Sequence, residues 1–220
     1  MLLSDIDIAK RLVDPNPGAR LVITPIISAR EQFGPSSLDV RLSTDFHRLE
    51  NINRPYLAVG EQSSAGQTAN TTQKAYIERV ILAAGEPFYL HPGEFVLAST
   101  LEWFRLPDDL AGRIEGRSSW GRRGLLVHAT AGFVDPGFAG VLTFELSNAG
   151  RLPIELKPGL RIGQVCFFQM LSRSLIPYSR KHYKKYFEAT TLETSKADID
   201  PEVAVAQHPP KTGDNTPAAP

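Results

Sequence analysis

The sequence has little that would direct it to a membrane, a disulfide scaffold or a nucleic-acid surface. Its 24 basic side chains are cancelled by 24 acidic ones, so no net field draws it to polyanions and general nucleic-acid binding is disfavoured. A polyanionic ligand would have to be met by a local cluster of donors. No stretch approaches the roughly 18 consecutive apolar residues that span a bilayer. Asp5 and Asp7 stand where a signal peptide needs an unbroken apolar run. There is one cysteine, Cys166, which excludes an intramolecular disulfide framework and suits a reducing compartment. Set in Val165-Cys166-Phe167-Phe168, it reads as a core thiol. The expectation is a cytoplasmic protein without a membrane or nucleic-acid partner.

What is present is a chain of 220 residues, most simply one domain and long enough to bury a core. Ser4-Asp5-Ile6-Asp7 has the form of a capping box opening a helix, with Ile6, Ala9 and Leu12 at helical spacing and Pro15-Asn16-Pro17-Gly18 closing it. Strand signals follow at Leu21–Ile23 and at Leu38–Leu42, where Leu38, Val40 and Leu42 alternate with Asp39 and Arg41. More come at Tyr76–Leu82, Pro87–Leu90, Phe95–Leu101, Leu125–Thr130, Val141–Asn148 and Arg161–Met170. Short strands with Gly and Pro punctuation indicate an all-β barrel or jelly-roll sandwich. Residues 61–72 are small and polar and read as a surface loop. We expect one domain over residues 1–189. Residues 190–220, polar and Pro-rich, form an expected disordered tail.

The chemistry concentrates between Gly116 and Gln164. In Gly116-Arg117-Ser118-Ser119-Trp120-Gly121-Arg122, glycines admit close backbone approach, serines offer hydroxyl and amide donors, and arginines supply charged forks. Such a turn suits phosphate, although a polar surface turn has the same composition. On Val141–Asn148, Leu142, Phe144 and Leu146 share one face, and Thr143, Glu145 and Ser147 the other. From pattern alone Glu145 is a solvated acid on an exposed strand face. Asp135-Pro136-Gly137 is a turn former in its own right. The lone His128 reads as a hydrogen-bonded core or near-site residue.

The run G-R-S-S-x-x-R at Gly116–Arg122, the hairpin Thr130–Gly140 and the acid of Phe144-Glu145-Leu146-Ser147-Asn148 resemble the dCTP deaminase family. The resemblance covers roughly residues 34–186. It implies the distorted β-barrel or jelly-roll of the dUTPase-like type and a homotrimer with sites between subunits. It also implies that Glu145 is the general base, with Arg122 and Ser118 orienting the carboxylate and its water. Arg117, Ser118, Ser119 and Arg122 would meet the nucleotide, and Ala131, Phe133 and Thr143 would line its base and sugar. Asp135 would meet the 3′-hydroxyl. Tyr178 and Lys185 would close a C-terminal lid, whose usual glutamine falls on Ala189. Mg²⁺ would accompany the triphosphate. Zinc is not expected, because the H-x-E…P-C-x-x-C pattern of zinc deaminases is missing from the sequence.

The first expectation for the reaction is hydrolytic deamination of dCTP to dUTP and ammonia, with dTTP as a possible inhibitor and dUTP as a second ligand. The alternatives are a bifunctional enzyme that goes on to dUMP, whose hairpin Thr130–Asp135 resembles, and a non-catalytic nucleotide-sensing trimer.

Overall fold

Apolar residues at every second position recur along the chain, and strands follow from that period. A computed structural model describes residues 1–49, 77–83, 85–182 and 184–196. Met1–Leu49 and Arg79–Glu193 form one compact unit. Glu50–Glu78 and Thr194–Pro220 form a second, of which only residues 77–78 and 194–196 are described. The expected loop at 61–72 and the expected tail from residue 197 onward lie outside the described residues.

Helix α1 (Asp5–Leu12) begins as its sequence dictates: the Ser4 hydroxyl oxygen accepts from the Asp7 N–H at 3.3 Å and donates to Asp7 Oδ2 at 2.9 Å. Twelve strands follow among the described residues. They are β1 (Val22–Thr24), β2 (Phe33–Gly34), β3 (Ser37–Leu49), β4 (Ile77–Ile81), β5 (Phe88–Leu90), β6 (Phe95–Arg105), β7 (Leu110–Gly116), β8 (Leu125–Leu126), β9 (Phe133–Val134), β10 (Ala139–Asn148), β11 (Ile154–Leu156) and β12 (Arg161–Gln169). The main sheet runs β8-β10-β6-β3-β12-β7-β9, with β1 on β6 and both β2 and β4 on β3; β5 and β11 make a second, two-stranded sheet.

β3 is the joint of this architecture. Its first half pairs with β12 from Leu38 to Arg41, and its second half with β6 from Leu42 to Arg48. The register shifts between Leu42 and Phe46, and a bulge of this kind bends and twists the strand carrying it. The sheet is therefore strongly curled around a core that includes Leu42, Phe46, Phe104, Phe144, Ile162 and Phe167. This is the mainly β, barrel-like fold expected from the sequence. Cys166 departs from expectation. It is half-buried on the β12 face opposite Val165 and Phe167, and burial, reinforced by the nearby Glu115, pushes its thiol up.

Two acids are buried among the described residues: Asp45 on β3, which pairs with Arg79 Nη2 at 2.8 Å, and Glu102. Glu102 on β6 is fully buried, accepting from the Arg41 N–H at 2.9 Å and from Gln32 Nε2 at 3.0 Å. Burial raises its carboxyl above the ordinary 4.5, against the pull of the Arg41 N–H. A carboxyl that holds its proton more tightly folded than unfolded contributes stability fully present below the unfolded value, and lost as pH rises through the folded one. Glu102→Gln cannot titrate. The stability of wild type relative to this variant should therefore be greatest below the ordinary 4.5 and fall as pH rises above it, read from denaturant melts at each pH. A difference independent of pH would remove Glu102 as the titrating group.

Candidate active site

The alternation of β10 places Glu145 where the pattern requires, half-buried beside Thr143 and Ser147 and opposite the buried Leu142, Phe144 and Leu146. How it is held could not be read from spacing. β8 pairs with the far end of β10 at Ser147 and Asn148, and the Glu145 N–H still donates to the Val127 carbonyl at 3.0 Å. Beyond that point the chain leaves the strand, and the Glu145 side chain takes over as partner. Its Oε2 accepts from the Ala129 N–H at 2.8 Å and the Thr130 N–H at 3.2 Å. The strand expected over Leu125–Thr130 is consequently only Leu125–Leu126. Both bonds fall on one oxygen, so the carboxylate has a fixed orientation and Oε1 remains available for chemistry.

Arg117–Arg122 forms a single helical turn, α2 (Ser118–Gly121), in place of the polar turn expected. The turn is tied down at its start. Arg117 Nε pairs with Asp39 Oδ2 at 3.1 Å, and its Nη1 donates to the Arg161 carbonyl at 2.9 Å, which also accepts from Trp120 Nε1 at 3.0 Å. Asp39 also faces Arg161 Nη1 at 3.4 Å. Burial pushes its carboxyl up despite the three nearby arginines, Arg117, Arg161 and Arg41. The period-two alternation of Leu38–Leu42 marks Asp39 only as a residue of the strand's polar face. Its partners lie about 80 and 120 residues away, a separation at which no periodic signal exists.

Ser118, Ser119 and Arg122 are exposed. Among the described residues none of them bonds Glu145 within the chain, where the orienting donors are instead the Ala129 and Thr130 amides. His128 lies half-buried with Nε2 3.9 Å from Glu115 Oε2. Gln164, not singled out from the sequence, bridges the same region: it accepts from Ser37 Oγ at 2.7 Å and donates to the Gly116 carbonyl at 3.2 Å.

The hairpin forms a second cluster. Phe133 is 65% exposed, with its ring open to solvent, and Ala131 is exposed beside it. Asp135 Oδ2 pairs with Lys181 Nζ at 2.6 Å. The Tyr178 N–H donates to the Pro136 carbonyl at 2.8 Å, and the Tyr178 ring tilts against Phe138 at 5.6 Å. Lys185 is half-buried. At the position of the missing glutamine, Ala189 is buried and bridges in parallel to Gly140; its carbonyl accepts from the Val141 N–H at 2.9 Å. Tyr178 and Lys181 thus contact the hairpin, and Glu188 and Ala189 the start of β10, the strand that carries Glu145. Among the described residues no three His, Cys, Asp or Glu side chains converge as metal ligands, and no helix is long and apolar enough to cross a membrane.

The curled sheet defines a fold shared with a solved 2′-deoxycytidine 5′-triphosphate deaminase from Agrobacterium tumefaciens. That likeness has TM-score 0.55 and 22% identity, covering 76% of this chain and 47% of the other. A family model described as dCTP deaminase-like matches residues 2–170. Curated relatives agree. A "dCTP deaminase, dUMP-forming" of Dictyoglomus thermophilum is 42% identical over 200 residues, 91% of this chain and 96% of that protein. One of the same name from Mycobacterium sp. (strain KMS) is 48% identical over 187 residues, 84% of this chain and 90% of that protein. The chain belongs to the dCTP deaminase-like family.

Proposed function

We propose that this protein is a dUMP-forming dCTP deaminase, converting dCTP and two waters to dUMP, ammonia and pyrophosphate. The observation that carries the reading is the shared name of relatives 42–48% identical along most of their length. The first expectation, release of dUTP, gives way to this alternative. In the first step water adds at C4 of the cytosine, N3 takes up a proton and the 4-amino group leaves as ammonia. Glu145 takes one proton from the water through Oε1 and delivers it to N3, then takes the second from the C4 hydroxyl and delivers it to the departing amino group as the carbonyl forms, while its bonds to Ala129 and Thr130 hold the carboxylate still. In the second, water attacks the α-phosphorus and pyrophosphate leaves, with Asp135 accepting from the sugar 3′-hydroxyl and helping to place the water.

Arg117, Ser118, Ser119 and Arg122 are proposed to meet the phosphates, Ala131, Phe133 and Thr143 the base and sugar, and Tyr178 and Lys185 to close over them. Because Ser118 and Arg122 do not reach Glu145 within one chain, the complete site is proposed to form between subunits of a homotrimer. A divalent ion is proposed to be carried on the phosphate oxygens of the substrate. Mg²⁺ bound this way would neutralise triphosphate charge.

The test is to supply dCTP and Mg²⁺, separate the nucleotides by ion exchange, and assay ammonia and pyrophosphate, with dUTP run in parallel. Equal ammonia and pyrophosphate with dUMP are expected. Accumulating dUTP would establish the single-function enzyme, and no product from either nucleotide would leave a sensing trimer.

A further inference from the structure

The contact between Asp135 and Lys181 joins the hairpin to a residue 46 positions later. It is built from both sides. Lys181 follows the 3₁₀ turn Tyr178–Arg180, its N–H donates to the Tyr178 carbonyl at 3.2 Å, and its ammonium lies 5.4 Å from the centroid of the Tyr178 ring. That ring is seated on Phe138, and the Tyr178 N–H is bonded to Pro136, so the turn rests on the residues that immediately follow Asp135. The lysine head is therefore aimed at the carboxylate by backbone and ring contacts. Asp135 Oδ2, at 2.6 Å from the ammonium, is committed to it.

An aspartate on a partly exposed turn would otherwise sample several rotamers. We propose that Lys181 is a positioning residue that fixes Asp135, presenting Oδ1 as the acceptor for the sugar 3′-hydroxyl. In this role Lys181 sets the preference for substrates that carry that group. The inference rests on the reading of Asp135 given above. A hydroxyl donating to a held carboxylate makes a charge-assisted bond, whereas a freely rotating carboxylate must be ordered on binding. Lys181 is 46% and Asp135 33% exposed, so the pair is screened and its contribution is modest.

The experiment compares kcat/KM for dCTP and for 2′,3′-dideoxy-CTP in wild type, Lys181→Met, Lys181→Arg and Asp135→Asn. Wild type should favour dCTP by about 10- to 150-fold, the range for a hydrogen bond to a charged group, and Asp135→Asn should lose most of that preference. Lys181→Met should lower the preference about two- to fivefold, chiefly through slower use of dCTP, and Lys181→Arg should restore it. If Asp135→Asn loses the preference and Lys181→Met keeps it, the proposal falls and the reading of Asp135 stands. If Lys181→Met slows both nucleotides equally, the lysine is only an anchor for the C-terminal segment, and the proposal is overturned. A wild type that turns over dCTP without preferring it would overturn the reading of Asp135 and this inference with it.

Discussion

Glu145→Gln is expected to lower deamination of dCTP by about 10²–10⁴-fold, the usual contribution of a positioned acid–base group, while the protein folds and binds nucleotide as before. The geometry makes this substitution selective. The wild-type carboxylate uses Oε2 alone to accept from the Ala129 and Thr130 amides, at 2.8 and 3.2 Å. A glutamine keeps an oxygen for both donors and so retains the anchor of the 127–130 loop. What it lacks is a second oxygen that can accept and return a proton. Glu145→Ala is the useful contrast, since it removes the anchor as well, at a cost of about 0.5–1.5 kcal/mol for each bond lost. Ammonia release, calorimetric binding of dCTP and thermal melts on the two variants separate these effects. Glu145→Gln turning over dCTP at near-wild-type rate would remove Glu145 as the general base. A melt as low as that of Glu145→Ala would show that glutamine fails to replace the anchor.

Much of the fold was legible because alternation and turn chemistry are local. The capping box of α1 and the two faces of β10 stand in the structure as the residues state them. What escaped the reading has a common cause. β6 reads as a strand only to Leu101, because Glu102 interrupts the apolar pattern; in the structure the strand continues to Arg105 and the acid is satisfied in the core by Gln32 and the Arg41 amide. β3 reads as ending at Leu42, because the bulge before Phe46 breaks period two. β7, with glycines at 112 and 116, carries little strand propensity and is held by its ladder to β12. The site follows the same division. Glu145, Asp135 and the Arg117–Arg122 run can be named from the sequence, through resemblance to a family. The seat of Arg117 on Asp39, the amide donors behind Glu145 and the lysine on Asp135 are contacts between distant segments. No window of residues contains them.

Gly137→Ala should be the most damaging small substitution in the hairpin. Gly137 has φ +76°, a conformation in which a Cβ costs about 1–2 kcal/mol. The added Cβ would lie 2.6 Å from Pro177 Cβ and 3.2 Å from the Tyr178 nitrogen, neither of which is the free end of a flexible side chain. Relief requires the Pro177–Tyr178 backbone to move, which breaks the Tyr178 N–H bond to Pro136 and loosens the Tyr178 ring from Phe138. The displacement would then pass along the segment to Glu188 and Ala189. There the Glu188 N–H donates to Ala139 at 2.7 Å, and Ala189 accepts from Val141 on the strand bearing Glu145. Hydrogen exchange should show lost protection at the Tyr178, Glu188 and Val141 amides. Because a shift of about 1 Å in a positioned group can cost 10²-fold in rate, kcat/KM for dCTP should fall on that order, while the amides of β12, remote from this contact, keep their protection. Wild-type protection at Glu188 combined with wild-type kcat/KM would mean that the hairpin accommodates the methyl group without moving the segment. In that event the packing of Pro177 and Tyr178 on Pro136–Phe138 could not be what organises this side of the site.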